Sequence, residues 1–180
     1  MPNSIPINEG TPIVWADIGG DFGDSPIAGT VQITLVSLAN AAARQGVKVD
    51  LGDPRAEIFE ITLVIELDAA PTSGLTVDLY MASSPDGTAG VANPGGVSGT
   101  DAAYTGTAGD SLADSLKQLD FIGSLICTSD AATVVQQQSF KYSPANRYVS
   151  PVVFNQSGQA FEGDDIEMSI IMIPIPPEVQ

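Results

Sequence analysis

The sequence of 180 residues has no histidine, one cysteine, one tryptophan and only six lysines and arginines. Without histidine there is no Ser–His–Asp or Cys–His arrangement, no common general base at neutral pH, and few ways to hold zinc. The lone Cys127 lies in the apolar run "FIGSLICT". It can form no intramolecular disulfide and no cysteine zinc site, and reads as a small buried hydrophobe. The basic residues Arg44, Lys48, Arg55, Lys117, Lys141 and Arg147 are scattered, and 22 acidic residues bring the net charge to −16. A polyanion of this kind repels phosphate, so no nucleic acid and no anionic membrane is expected as a partner. No window approaches the ~18 apolar residues that would cross a bilayer. The opening "MPNSIPINEG" lacks a basic segment followed by an apolar one, so the expectation is synthesis in the cytoplasm without a secretory signal.

What is present is alternation. The chain is 43% hydrophobic and 16% charged, which predicts a folded protein, and its length suits one domain. In "EIFEITLVIEL" the residues Phe59, Ile61, Leu63, Ile65 and Leu67 share one face, with Glu60, Thr62 and Glu66 on the other. "LTVDLYMAS" points Leu75, Val77, Leu79 and Met81 inward and Thr76, Asp78 and Tyr80 outward. "TVQITLVSL" groups Val31, Ile33 and Leu35, and "QLDFIGSLIC" groups Leu119, Phe121 and Leu125. The link "DAAPTSG" between two of these strands predicts a hairpin. In "YVSPVVFNQSGQAF" both faces are apolar, Val149 and Val153 on one and Tyr148, Val152 and Phe154 on the other, and "NQSG" predicts a hairpin turn.

Helix signals are few. "DSLADSLKQL" has Asp110 or Ser111 as N-cap and Leu112, Leu116 and Leu119 at helical spacing, and "ANAAARQG" fits one turn before Gly46. From Ser83 to Gly109 large apolar residues almost vanish, which predicts a long surface loop or a pair of loops. About nine short strands without strand–helix alternation predict an all-β fold, a β-sandwich or jelly roll with extended terminal arms and at most one or two short helices. The expected organisation is an N-terminal arm over 1–10, one β domain over 11–173 and a proline-rich tail over 174–180. Pro174, Pro176 and Pro177 are expected to stop strand pairing.

Catalysis without histidine would rest on paired carboxylates, but these need a groove lined by aromatics. With one Trp, four Tyr and six Phe, most at core positions, the sequence is not that of an enzyme. Oxygen ligands for calcium are available from Asp86, Asp101 and Asp110 on the long loop, or from Asp17, Asp21 and Asp24. Their spacing matches no EF-hand, and turn chemistry accounts for Asp beside Gly, so no metal and no cofactor is assigned.

Three stretches, "VDLYMASSPDGT", "LKQLDFIGSLICT" and "YVSPVVFNQSGQAF" closing on "SIIMIPIPPEVQ", together resemble the small jelly-roll virion proteins of tailed bacteriophages, the head decoration or cement proteins. The likeness runs from about Val77 to the C-terminus. It implies a trimer seated on the outer capsid surface, bound to the major capsid protein, with no active site. On this reading Ile170, Ile171, Met172 and Ile173, apolar on both faces, form the subunit interface. Pro2, Ile5, Pro6 and Ile7 form an arm laid on the shell. The alternatives are a tail-associated or fibre-like receptor-binding module using the loop from Ser83 to Gly109, and a carbohydrate-binding β-sandwich. Trp15 is the only tryptophan available to the last.

Overall fold

The computed structural model describes residues 11–18, 29–53, 55–128, 132–164 and 167–175. The expected arm over 1–10, and with it Pro2, Ile5, Pro6 and Ile7, lies outside these residues, as do Asp21, Asp24 and the tail beyond Ile175. The strands in chain order are β1 (Ile13–Ala16), β2 (Val31–Gln32), β3 (Ala43–Gln45), β4 (Val49–Asp50), β5 (Ile58–Ile65) and β6 (Thr76–Ser84). They continue with β7 (Ala102–Tyr104), β8 (Asp120–Ile126), β9 (Gln136–Tyr142), β10 (Tyr148–Gln156) and β11 (Ser169–Ile175). A short α-helix, α1 (Leu112–Leu116), starts on Ser111, whose hydroxyl accepts from the Asp114 amide at 3.1 Å, one of the two caps the sequence offered. Among the described residues no helix is long and apolar enough to cross a membrane.

One sheet runs β2-β1-β11-β5-β9, and the other runs β7-β3-β10-β6-β8 with β4 also beside β10. The pairings are antiparallel apart from β1 with β2. β3 and β4 pair successive parts of β10 and act as one interrupted strand. Counting them so, the strands of the four-stranded frames interlock as β1-β11-β5-β9 against β3/β4-β10-β6-β8. Within these frames each strand is followed by one in the other sheet, except that β6 and β8 are antiparallel neighbours, and this is the doubled Greek key of a jelly roll.

The alternation sets the core. Phe59, Ile61, Leu63, Ile65 and Leu67 are buried against Val77, Leu79 and Met81 of the facing sheet and against Val149 and Val153. Burying each such side chain contributes about 1.5–3 kcal/mol. Both faces of β10 are buried, as its sequence predicted. Val149 and Val153 enter this core, while Val152 and Phe154 join a second cluster outside the sheet with Ala82, Tyr104, Leu116 and Leu119.

Several expectations are corrected. "DAAPTSG" does not close a hairpin, since β5 pairs with β9 and β11 while β6 pairs with β8 and β10. The link instead carries the chain from one sheet to the other, because the apolar faces of β5 and β6 must meet across the core rather than lie side by side. "NQSG" likewise ends β10 in a turn that leads across the sandwich, where Phe161 makes a single bridge with Leu67. "ANAAARQG" forms no helical turn and ends in β3, which the ladder with β10 and β7 holds extended. Pro174 does not stop pairing. It stands opposite Phe59, and β11 runs on to Ile175. The register with β1 has already ended at Met172, so β11 is there an edge that tolerates a missing donor.

Candidate functional site

The outer face of the β10–β6–β8 sheet carries a surface groove among the described residues. The segment from Pro85 to Leu119, including β7 and α1, folds back over half of this face and seals the second cluster. The other half stays open as a groove of about 500 Å³. Its floor is Asp78 and Tyr80 from β6, Phe121 from β8 and Phe154 and Gln156 from β10. Its wall is Ala113, Leu116 and Lys117 of α1 and its following turn, with Leu119.

A break in register aims the central aromatic. Leu79 pairs with Gly123 and Tyr80 with Phe121, so Ile122 is the extra residue of a β-bulge. Strict alternation would put Phe121 on the core side with Gly123 and Leu125, as the sequence led us to expect. The bulge turns it outward instead, 57% exposed, and sends Ile122 against the core. The displaced core position is filled by Phe140, whose ring lies over Gly123 so closely that a Cβ there would sit within contact of it. Phe121 then meets Tyr80 with ring centroids 5.3 Å apart at 56°, a tilted pair.

The polar floor is equally ordered. Asp78 accepts from Ser124 Oγ at 2.6 Å and from Gln156 Nε2 at 2.7 Å, one bond to each carboxylate oxygen. Burial, with a smaller push from the Asp78 charge, raises the Tyr80 phenol above its ordinary value and keeps it protonated. Lys117 on the wall is held by Asp114 at 2.8 Å. The groove contains no nucleophile with a base beside it. It offers an aromatic surface next to fixed hydrogen-bonding groups, which is the composition of a binding site.

The long loop is organised by a lysine. Lys48 Nζ donates to the carbonyls of Asp86 (2.8 Å), Thr88 (2.9 Å) and Val91 (3.1 Å) and to Ser84 Oγ (3.2 Å). Desolvation lowers its pKa, partly offset by the Asp86 charge. The loop carboxylates considered for calcium have separate duties. Asp86 accepts from the Thr88 amide at 2.7 Å, Asp101 pairs with Arg44 at 2.7 Å and holds Thr34, and Asp110 lies exposed. Asp17 accepts from Gln32 Nε2. A different acidic group is assembled at the end of β5, where oxygens of Glu66, Asp164 and Glu167 lie within 4.8 Å of one another. Burial first, then the neighbouring acids, push Glu66 up to about 7.

The residues expected at a subunit interface are divided by the pleat. Ile170 and Met172 are fully buried in the inter-sheet core and are removed from the interface, because alternation turns them inward. Ile171 packs on Val14 and Ala16 on the outer face, and Ile173 is 42% exposed beside Ile175, which stands opposite Ile58. Trp15 is fully buried and donates its indole N–H to the Val47 carbonyl at 2.8 Å, so it serves no ligand. Cys127 is buried, and burial pushes its thiol up. The groove residues Phe121, Phe154 and Gln156 were not foreseen. The available signal was Gly123, since a glycine inside a strand marks a bulge or a close approach. No protein-family model matches the chain, and no curated protein matches it.

Proposed function

We propose that the chain is a non-catalytic structural protein of a virion, a trimer that decorates the outer surface of a phage head by binding the major capsid protein. One observation carries this reading: five of the six basic residues are engaged by the protein's own groups. Arg44 pairs with Asp101, Arg147 with Asp50 and Lys117 with Asp114. Arg55 donates to the carbonyls of Pro144 and Ala145, Lys48 is enclosed by its loop, and Lys141 stands opposite Glu60. With 22 acidic residues against 6 basic ones, the chain carries a large acidic excess, suited to a place where no nucleic acid has to be met. A jelly-roll frame supports the same reading. The outward pair Ile171 and Ile173, with Ile58 and Ile175 alongside Ile173, is the apolar strip offered to a second subunit.

Co-sedimentation with undecorated capsids tests it. The 180-residue chain is expected to pellet with shells, and deletion of Met1 to Asn8 is expected to weaken attachment while leaving the thermal transition nearly unchanged. No binding by the undeleted chain overturns the capsid reading. Binding to host cells rather than shells would favour a receptor-binding module. Light scattering at micromolar concentration is expected to give a trimer mass, and a monomer mass overturns the subunit strip.

A further inference from the structure

We infer that the groove between α1 and the outer face of the β10–β6–β8 sheet is a binding site for a neutral saccharide. The inference goes beyond the capsid role and does not depend on it. Pyranose rings have one face of C–H groups and a rim of hydroxyls, so their sites combine an exposed aromatic face with fixed acceptors and donors. Phe121 supplies the face and is 57% exposed, although Leu125 of the same strand and Cys127 just beyond its end are buried. It is placed there by the bulge at Ile122 and braced by Tyr80 at 5.3 Å. Leaving a large aromatic in water when a one-residue change of register would bury it is the mark of a re-aimed side chain.

The acceptors lie beside it. Asp78 is held by Ser124 at 2.6 Å and Gln156 at 2.7 Å, and each carboxylate oxygen keeps lone-pair capacity for a hydroxyl donor. The Gln156 amide oxygen supplies a further acceptor, and the protonated Tyr80 hydroxyl is a donor close by. The charge of the floor is negative, and the one cation on the wall, Lys117, is already paired with Asp114. Sulfated and carboxylated sugars are therefore repelled, and neutral ones are admitted. The volume of about 500 Å³ falls in the ordinary range for small-molecule sites.

The test is two-dimensional NMR of the full chain titrated with cellobiose, maltose, lactose and N,N′-diacetylchitobiose, with a sulfated chondroitin disaccharide as the anionic arm. At least one neutral sugar is expected to bind with a dissociation constant in about the millimolar range, shifting Phe121, Tyr80 and the Gln156 side-chain amide. Phe121→Ala, at an exposed position, is expected to keep the thermal transition and weaken binding more than about tenfold. Asp78→Asn, nearly isosteric, is expected to weaken it about tenfold. The inference is overturned if no neutral sugar binds at about 10 mM, if the shifts lie outside the groove, or if Phe121→Ala binds equally well. Preference for the chondroitin disaccharide overturns it too. Loss of shell co-sedimentation in Phe121→Ala, with no sugar bound by the wild type, would assign the groove to a protein partner instead.

Discussion

β6 and β10 each support two apolar clusters, one on either face, and the two are held by different means. On the inner face Val77, Leu79, Met81, Val149 and Val153 meet the opposite sheet in a core of twenty buried residues among those described. On the outer face Ala82 and Val152 belong to a group of seven, roofed by the segment that carries α1. The inner cluster is secured by two sheets with long ladders, and burial alone specifies it. The outer one is secured by a loop, so its geometry rests on polar ties and on glycine. Tyr104 donates its hydroxyl to the Gly95 carbonyl at 2.5 Å, and Ser115 Oγ accepts from the Thr107 amide at 2.9 Å. Gly95 and Gly96 hold φ of +61° and +72° where a Cβ would strike neighbouring backbone. The contrast teaches that a core set by burial and a core set by loop geometry can share one pair of strands, the second depending on positions where even a methyl group does not fit.

Breaking the inner cluster should have the largest effect. Leu63 is fully buried at the centre of β5, so Leu63→Ala is expected to cost ~2–5 kcal/mol of global stability, read from urea unfolding. A loss below about 1 kcal/mol would place Leu63 among exposed positions and refute the pleat assigned to β5. Gly95→Ala attacks the outer cluster. A methyl there meets the Ser115 carbonyl at 2.7 Å, Leu119 Cδ2 at 2.9 Å and the Tyr104 hydroxyl at 2.9 Å. The expected cost is about 1–3 kcal/mol, felt locally. Amide exchange should quicken from Tyr104 to Leu119 while β5 stays protected; equal acceleration in both would show that the clusters unfold as one.

The smallest effect probes the polar rim of the inner core. Glu66 has its folded pKa raised from 4.5 to about 7, so the folded chain binds that proton more tightly than the unfolded chain does. Its contribution is complete below about pH 4.5 and is lost as pH rises towards 7. Relative to the wild type, Glu66→Gln should therefore flatten the fall in urea midpoint over that interval. Parallel curves for the two proteins would mean that the carboxyl is not held protonated. The exposed Asp164 lets solvent into the cluster, which keeps the effect modest.

The inner cluster was legible because period-2 alternation is a direct image of a pleat with one dry side. Phe59 to Leu67 and Val77 to Met81 follow that rule, and so does the two-sided burial of β10. What escaped has identifiable causes. β9 reads "QQQSFKY" and gives little hydrophobic signal, because it is an edge strand whose Gln137, Gln138, Ser139 and Lys141 meet water. β3 is built of small and polar residues with helical preference, and only its neighbours make it a strand. Phe121 was placed inward since a bulge adds one residue without changing composition. Glu66 was placed outward by parity, yet it is buried at the rim, where alternation ends with β5. The groove needed all three of these departures from pattern to be visible: a bulge, a glycine under Phe140, and a helix folded back over a sheet.

Lys48 has a consequence for how the long loop meets changing surroundings. Loops that wrap a free metal ion hold their shape only while that ion is supplied, and chelation or dilution releases them. Here the central charge is attached to the chain between β3 and β4, so its local concentration at the carbonyls of Asp86, Thr88 and Val91 is fixed by a short covalent tether. The loop keeps its counter-charge without drawing on dissolved metal ions, and its conformation is inherited with the sequence rather than borrowed from the solution.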